Sequence, residues 1–144
     1  MKNILIIGAG AKGAAFSVPC MDNKHRVTLS EPFNFKLIKK ITSNKKFHPS
    51  LKTKLHNNLL VKNFSKELLK KKWDLIVVAV SSVGIDLVRE CLKKLKFNTK
   101  IFFLTKGLKY DRKSKKIITM SEQLNKGIKK LDISVLKGPC LAKE

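Results

Sequence analysis

Gly8-Ala9-Gly10-Ala11-Lys12-Gly13, placed directly after the apolar run Ile4-Leu5-Ile6-Ile7, decides the fold. An apolar, β-branched run of this kind predicts a buried parallel strand, because a strand covered on both faces is apolar at every position. Glycines at G-x-G-x-x-G spacing then have three separate jobs. Gly8 turns the chain tightly out of the strand, Gly10 leaves the backbone open to a pyrophosphate, and Gly13 lets the following helix lie close to the sheet. The pyrophosphate would sit on the amides and the positive dipole end of that helix. The strand in front and the small residues Ala14 and Ala15 behind supply the context the motif requires. The competing reading is an ordinary strand-turn-helix without a ligand.

A chain of 144 residues with 43% hydrophobic content is long enough to bury one sizeable core, so a single domain over residues 1–144 is expected. No window approaches the ~18 apolar residues of a membrane span. The glycines behind the short apolar run near the first residue argue against a signal peptide. Cys20, Cys91 and Cys140 have long, unequal gaps that suggest neither a disulfide framework nor a zinc site. His25, His48 and His56 show no ligand spacing, so no metal is expected. A reducing cytoplasm is the simplest setting.

The formal net charge is +22, and of 32 basic residues only Arg26, Arg89 and Arg112 are arginine. Such a charge attracts any polyanion through counterion release. The lysines are scattered over every segment, however, and one Trp and one Tyr leave little to stack on bases. No specific nucleic-acid partner is expected. A solvated lysine coat, or biased codon usage, accounts for the excess, and an anionic substrate or cofactor gains modestly from the field.

Short β-rich runs alternate with helical patterns, which implies α/β architecture: a doubly wound, mainly parallel sheet with helices on its faces. Six strands are expected, at Asn3–Gly8, Arg26–Ser30, Leu59–Lys62, Asp74–Val80, Lys100–Thr105 and Ile133–Lys137. Ile85, Val88, Leu92 and Leu95 recur at helical spacing behind Ser82, a plausible N-cap. Ile117, Met120, Leu124 and Ile128 make a second apolar stripe closing near Gly127. The stretch from Phe47 to Asn58, with Pro49, is expected to be a loop. Pro19 falls inside the first helix, where it removes an amide and should kink or end it.

Three further segments stand behind the glycine turn. Leu75-Ile76-Val77-Val78-Ala79-Val80-Ser81-Ser82 is an apolar strand opening into hydroxyl residues. Ile101-Phe102-Phe103-Leu104-Thr105-Lys106-Gly107-Leu108 delivers a lysine at a strand's carboxyl end. Gly138-Pro139-Cys140-Leu141-Ala142-Lys143-Glu144 follows the last strand. In this order and spacing they resemble the N-terminal Rossmann domain of NAD(P)-dependent sn-glycerol-3-phosphate dehydrogenase, with its V-A-V-P-S strand end, T-K-G turn and G-P-S-x-A-x-E segment. The stretch Gly8 to Met21 is most similar to archaeal-type members, which also carry Ser-Val-Pro in the first helix, so Pro19 fits the family.

The resemblance implies that Gly8, Gly10, Ala11, Lys12 and Gly13 contact the dinucleotide phosphates. Lys12 stands where an aromatic residue or Met is common, which would make that contact ionic. It implies that Lys106 holds the substrate, glycerol 3-phosphate or dihydroxyacetone phosphate, and takes the catalytic role. Gly138 and Cys140 match substrate-contacting positions, and Ala142 a cofactor-contacting one. Cys140 replaces the usual Ser, and a thiol is a weaker donor than a hydroxyl. The residues point the same way, since Ser81, Lys106 and Gly138 all follow strand ends and so converge on one crevice with the glycine turn. A lysine there can bind a phosphate ester or polarise a carbonyl. Glu31 ends the second strand 18 residues beyond Gly13, near the distance expected of a ribose-hydroxyl acceptor. Its carboxylate would repel a ribose 2′-phosphate, so of NAD and NADP the former is favoured.

Full-length members of the family continue with a C-terminal helical domain that supplies a second lysine and much of the substrate pocket, and the resemblance, which ends with the G-P segment, leads to the expectation that this domain is absent here. The resemblance therefore implies dinucleotide binding with little turnover by this chain alone, completed by the missing domain, with a homo-oligomer as another possible partner arrangement. Two alternatives are another dehydrogenase of the same superfamily, such as a ketopantoate reductase or hydroxyacid dehydrogenase, and a non-catalytic dinucleotide-binding remnant or subunit.

Overall fold

A computed structural model describes residues 1–93, 99–128 and 131–136. Six strands form one sheet: β1 (Asn3–Ile7), β2 (Arg26–Glu31), β5 (Leu60–Asn63), β6 (Leu75–Val78), β7 (Lys100–Phe103) and β10 (Ile133–Val135). Their order across the sheet is β10-β7-β6-β1-β2-β5, and every neighbouring pair is parallel. This is the doubly wound order, with the topological switch between β1 and β6. Each strand lies within two residues of its expected bounds, and Lys137, at the end of the last one, falls outside the described residues.

The apolar strands alternate between two cores because successive side chains leave opposite faces of a sheet. Ile4 and Ile6 of β1 join Val77 of β6 beneath α1 (Ala11–Asp22) and α2 (Phe35–Ser43). Leu5 and Ile7 join Ile76, Val78, Ile101 and Phe103 on the other face, beneath α4 (Ile85–Lys93) and α5 (Met120–Asn125), with Leu69 of α3 (Lys66–Lys70). Phe16 of α1 stacks on Phe102 of β7 with ring centroids 5.3 Å apart.

The helices follow local signals. Asn34 caps α2, its side chain accepting the Leu37 N–H at 3.0 Å, and Ile38 and Ile41 face inward one turn apart. Thr119 and Glu122 form a capping box at the start of α5. Pro19 lies in the last turn of α1, which ends at Asp22, where Asn23 donates from both its backbone and side-chain nitrogens to the Pro19 carbonyl.

Three expectations are corrected. Ile117 does not belong to a helix: it lies on β9 (Lys116–Thr119), paired antiparallel with β8 (Leu108–Asp111), and is 69% exposed. The β-branched run Ile117-Ile118-Thr119 favours a strand, and Lys115 closes the hairpin in the left-handed region at φ 51°. Ser82 does not cap α4. It opens a short 3-10 turn (Ser82–Gly84) with Ser81 at the cap position, and no side-chain bond closes that end. The segment from Phe47 to Asn58 carries a small hairpin, β3 (Phe47–His48) with β4 (Thr53–Lys54), rather than irregular chain alone. Leu95 lies outside the described residues.

Candidate functional site

The glycine turn sits at the switch point, and its three glycines have unequal environments. Gly8 has φ +112°, and a Cβ there would lie 2.6 Å from the Ala79 carbonyl group at the end of β6. At Gly13 a Cβ would fall 1.9 Å from the Gly8 carbonyl oxygen, so α1 rests directly on the turn. Around Gly10 nothing beyond its own chain neighbours lies within 4 Å of where a Cβ would stand. Gly10 occupies the N-cap of α1 without a side-chain cap, and no acidic residue stands in that helix's first turn. Its neighbours Ala11 and Lys12 are exposed. The result is a helix N-terminus with outward-facing amides and a positive dipole end.

Ala9, between the first two glycines, is fully buried and held by side chains from two other segments. Glu31, 7% exposed at the end of β2, accepts the Ala9 N–H on Oε2 at 2.8 Å. Its Oε1 accepts the N–H groups of Phe33 at 2.9 Å and Asn34 at 3.3 Å. A carboxylate oxygen has two acceptor directions, so Oε2 keeps capacity for a further donor such as a ribose hydroxyl. From the other side, His48 Nε2 lies 2.9 Å from the Ala9 carbonyl oxygen. The Phe33 ring then crosses to the β6 end, close enough that a Cβ on Gly84 would meet it at 2.5 Å.

Further strand ends stand next to this turn. Thr105 Oγ1 donates to the Val80 carbonyl at 2.7 Å, tying the end of β7 to the end of β6. Lys106 follows, half-buried, and lines a cavity of about 300 Å³ with Thr105, Gly107, Thr119, Met120 and Leu136 among others. Gly107, at φ +130°, brings this turn near Ser82 (a Cβ would lie 3.8 Å from the Ser82 Cβ). Ser81 is exposed at the β6 end, and its carbonyl accepts the Gly84 N–H. Gly8, Gly10, Ala11, Lys12, Gly13 and Glu31 are thus brought together around one turn, with Ser81 and Lys106 on adjacent strand ends. Gly138, Cys140 and Ala142 lie outside the described residues.

The hairpin that follows Lys106 is anchored electrostatically. Asp86 of α4 accepts from Lys109 Nζ of β8 at 2.9 Å and from Gln123 Nε2 of α5, and pairs with Arg89 at 3.0 Å. The Lys109 hydrogen bond, with Gln123 and Arg89 beside it, holds the Asp86 carboxyl below the usual carboxylate range. A folded-state value below the unfolded one means that the carboxylate stabilises the fold above about pH 4, and that this contribution fades as pH falls through the folded value. Asp86→Asn is therefore expected to flatten the acid limb of a stability profile below about pH 4. At pH 7 it should cost less than about 1 kcal/mol, because half-exposed pairs are screened. Urea titrations at a series of pH values check both.

The sequence reading missed His48 and Thr105. Thr105 stood in the T-K-G turn without a role of its own, and the bonds that join these two to the site, His48 to Ala9 and Thr105 to Val80, span 39 and 25 positions. Among the described residues no cluster of His, Cys, Asp and Glu could hold a metal ion, and no helix is long and apolar enough to cross a membrane.

Residues 3–144 match the profile of the NAD-dependent glycerol-3-phosphate dehydrogenase N-terminus. The chain belongs to that family. A glycerol-3-phosphate dehydrogenase [NAD(P)+] of Photorhabdus laumondii is 27% identical over 99% of this chain and 41% of its own length. The NADP(+)-dependent glycerol-3-phosphate dehydrogenase of Archaeoglobus fulgidus is 28% identical over 98% of the chain and 42% of its own length. The crystal structure of glycerol-3-phosphate dehydrogenase from Coxiella burnetii shares the fold, with a TM-score of 0.79 at 20% identity over 97% of this chain and 42% of that one. The chain thus spans about two fifths of these relatives, over the N-terminal region that its family describes. The family is one of oxidoreductases using NAD or NADP, so the competing dehydrogenase families weighed on the sequence give way.

Proposed function

We propose that residues 1–144 form one dinucleotide-binding domain, the cofactor half of a glycerol-3-phosphate dehydrogenase. The observation that carries this reading is the uncapped N-terminus of α1 at Gly10, open to at least 4 Å where a side chain would stand. A diphosphate approaching there accepts from the amides of Gly10, Ala11, Lys12 and Gly13, with Lys12 supplying charge and Gly8 holding the turn against β6. Glu31 receives the adenosine ribose through its remaining acceptor capacity. Ser81 and, from the G-P segment, Ala142 complete the cofactor side.

Gly138 and Cys140 match substrate-contacting positions of the family, and Lys106 takes the substrate side. Its ammonium binds the phosphate ester or polarises the carbonyl of dihydroxyacetone phosphate. The nicotinamide, when bound, exchanges hydride with the second carbon of the substrate. Turnover further needs a positioned acid or base and exclusion of water. In this proposal those come from the remaining length of the relatives' chains, so this chain alone binds cofactor and turns over little. A reducing cytoplasm suits its two described cysteines, which are free, and burial pushes the Cys20 thiol up.

In the basic groove between α4 and the hairpin, Arg89, Lys93, Lys109 and Lys126 are each paired with Asp86, Glu90 or Asp111.

The test is calorimetric titration of NADH and NADPH into the purified chain. Saturable NADH binding, tighter than NADPH, is expected; no binding of either sinks the proposal. Glu31→Ser should move the NADH to NADPH preference by about tenfold toward NADPH, since it removes the charge facing a 2′-phosphate and frees three amide donors. An unchanged ratio would show that ribose selection lies elsewhere.

A further inference from the structure

We propose that His48 is a positioning residue for the dinucleotide turn: by holding the Ala9 carbonyl it aims the Gly10 amide at the incoming diphosphate. This rests on the cofactor reading above and adds a residue to it that neither the motif nor the family resemblance assigns.

The proton on the ring is located by its partners. The Leu51 backbone N–H donates to His48 Nδ1 at 3.2 Å, so Nδ1 carries a lone pair. The proton of the neutral imidazole is therefore on Nε2, which donates to the Ala9 carbonyl at 2.9 Å. The side chain is fully buried. Both of its nitrogens are satisfied by backbone, and one of those backbone groups lies in the glycine turn.

Peptide geometry turns that contact into an orientation. The Ala9 carbonyl and the Gly10 N–H belong to one planar trans amide and point in opposite directions. When His48 draws the carbonyl inward, the Gly10 N–H is directed away from His48, at an exposed residue on the N-cap of α1. The preceding amide is fixed in the same way, because Glu31 accepts its N–H at 2.8 Å. Two consecutive peptide planes are thus set by side chains from two segments, before any ligand arrives. Such pre-set donors need little rearrangement on binding.

The segment that delivers His48 carries the strain of doing so. Lys45, Lys46 and Lys52 have φ of 42°, 67° and 51°, left-handed conformations that cost a residue with a Cβ. Lys45 and Lys46 lead into the β3–β4 hairpin and Lys52 lies in its turn; Lys46 is held by the Leu55 N–H bond to its carbonyl and by its own Nζ on the Leu59 carbonyl. Strain of this kind persists where the surroundings over-determine it, and it collects at binding sites.

Two variants separate positioning from mere support of the fold. A Gln side chain places its amide where Nε2 lies and can still donate to Ala9. An Asn side chain reaches only the Nδ1 position, so it keeps the Leu51 contact and stops short of Ala9. NADH titration of both, alongside thermal unfolding, is expected to give His48→Asn about tenfold weaker binding and His48→Gln within about threefold of the unsubstituted protein. Nitrogen NMR of the ligand-free protein should show the Nε2–H tautomer at His48. Amide exchange at Gly10 should quicken in His48→Asn and not in His48→Gln. Equal NADH affinity in all three proteins, equal loss in both variants, or the Nδ1–H tautomer would each overturn the inference while leaving the cofactor reading standing. Failure of the unsubstituted protein to bind NADH overturns both.

Discussion

Gly13→Ala is expected to cost about 3 kcal/mol or more of folding stability, a large part of the total for a domain of this size. The added Cβ would stand 1.9 Å from the Gly8 carbonyl oxygen, with the Gly8 carbonyl carbon at 3.1 Å and Ile6 Cγ2 at 3.2 Å. The first of these neighbours is backbone and cannot swing aside, so α1 must lift off the sheet. That helix buries Ala14, Ser17, Cys20 and Met21, and lifting it opens the core it shares with β1 and β2. Overpacking at a rigid contact of this kind is among the few single changes that reach several kcal/mol. Urea unfolding followed by circular dichroism checks it, and a midpoint unchanged by the substitution would mean that the helix does not rest on the turn as described. Gly8→Ala should behave similarly, since it adds a 2.6 Å clash with Ala79 to an unfavourable φ of +112°.

Gly10→Asp should do the opposite: leave the fold as stable or slightly more so, and remove dinucleotide affinity by about a hundredfold or more. Gly10 has φ −65° and ψ −179°, an extended conformation any residue adopts, and there is room for a side chain. Asp is a better N-cap than Gly by a few tenths of a kcal/mol and also complements the helix dipole. The same carboxylate would lie within several ångströms of the bound diphosphate. Like charges at ~4 Å repel by about 4 kcal/mol at an effective dielectric near 20. Thermal unfolding and NADH titration of one preparation test both halves. Retained affinity would place the diphosphate away from this turn. On the proposed reading, two glycines of one motif serve different ends: Gly13 the packing of the protein and Gly10 its ligand.

Most of the sheet was legible because its signal is local. Ile4 to Ile7 and Leu75 to Val78 are apolar at every position, which a strand covered on both faces demands, and the glycine spacing fixed the turn between β1 and α1. The hairpin after Lys106 was misread because Ile117, Met120, Leu124 and Ile128 fall at helical intervals. Its pairing depends on partners at Leu108 to Asp111, which periodicity does not register. Glu31 was found by its distance from the glycines, yet its bonds to three backbone amides could not be foreseen from that distance. His48 was invisible for a stronger reason: a single histidine without a spaced partner acquires meaning only when the chain has folded back 39 positions to the turn.

The position of β1 also bears on how the protein is made. This strand is flanked by β2, which is complete at Glu31, and by β6, whose first residue is Leu75. During synthesis at ~5–20 residues per second, one edge of this apolar strand therefore stays unpaired for several seconds after the other has closed. An open edge of that composition is a template for a neighbouring nascent chain. Crowding of ribosomes on one message is thus the condition under which this topology would go astray.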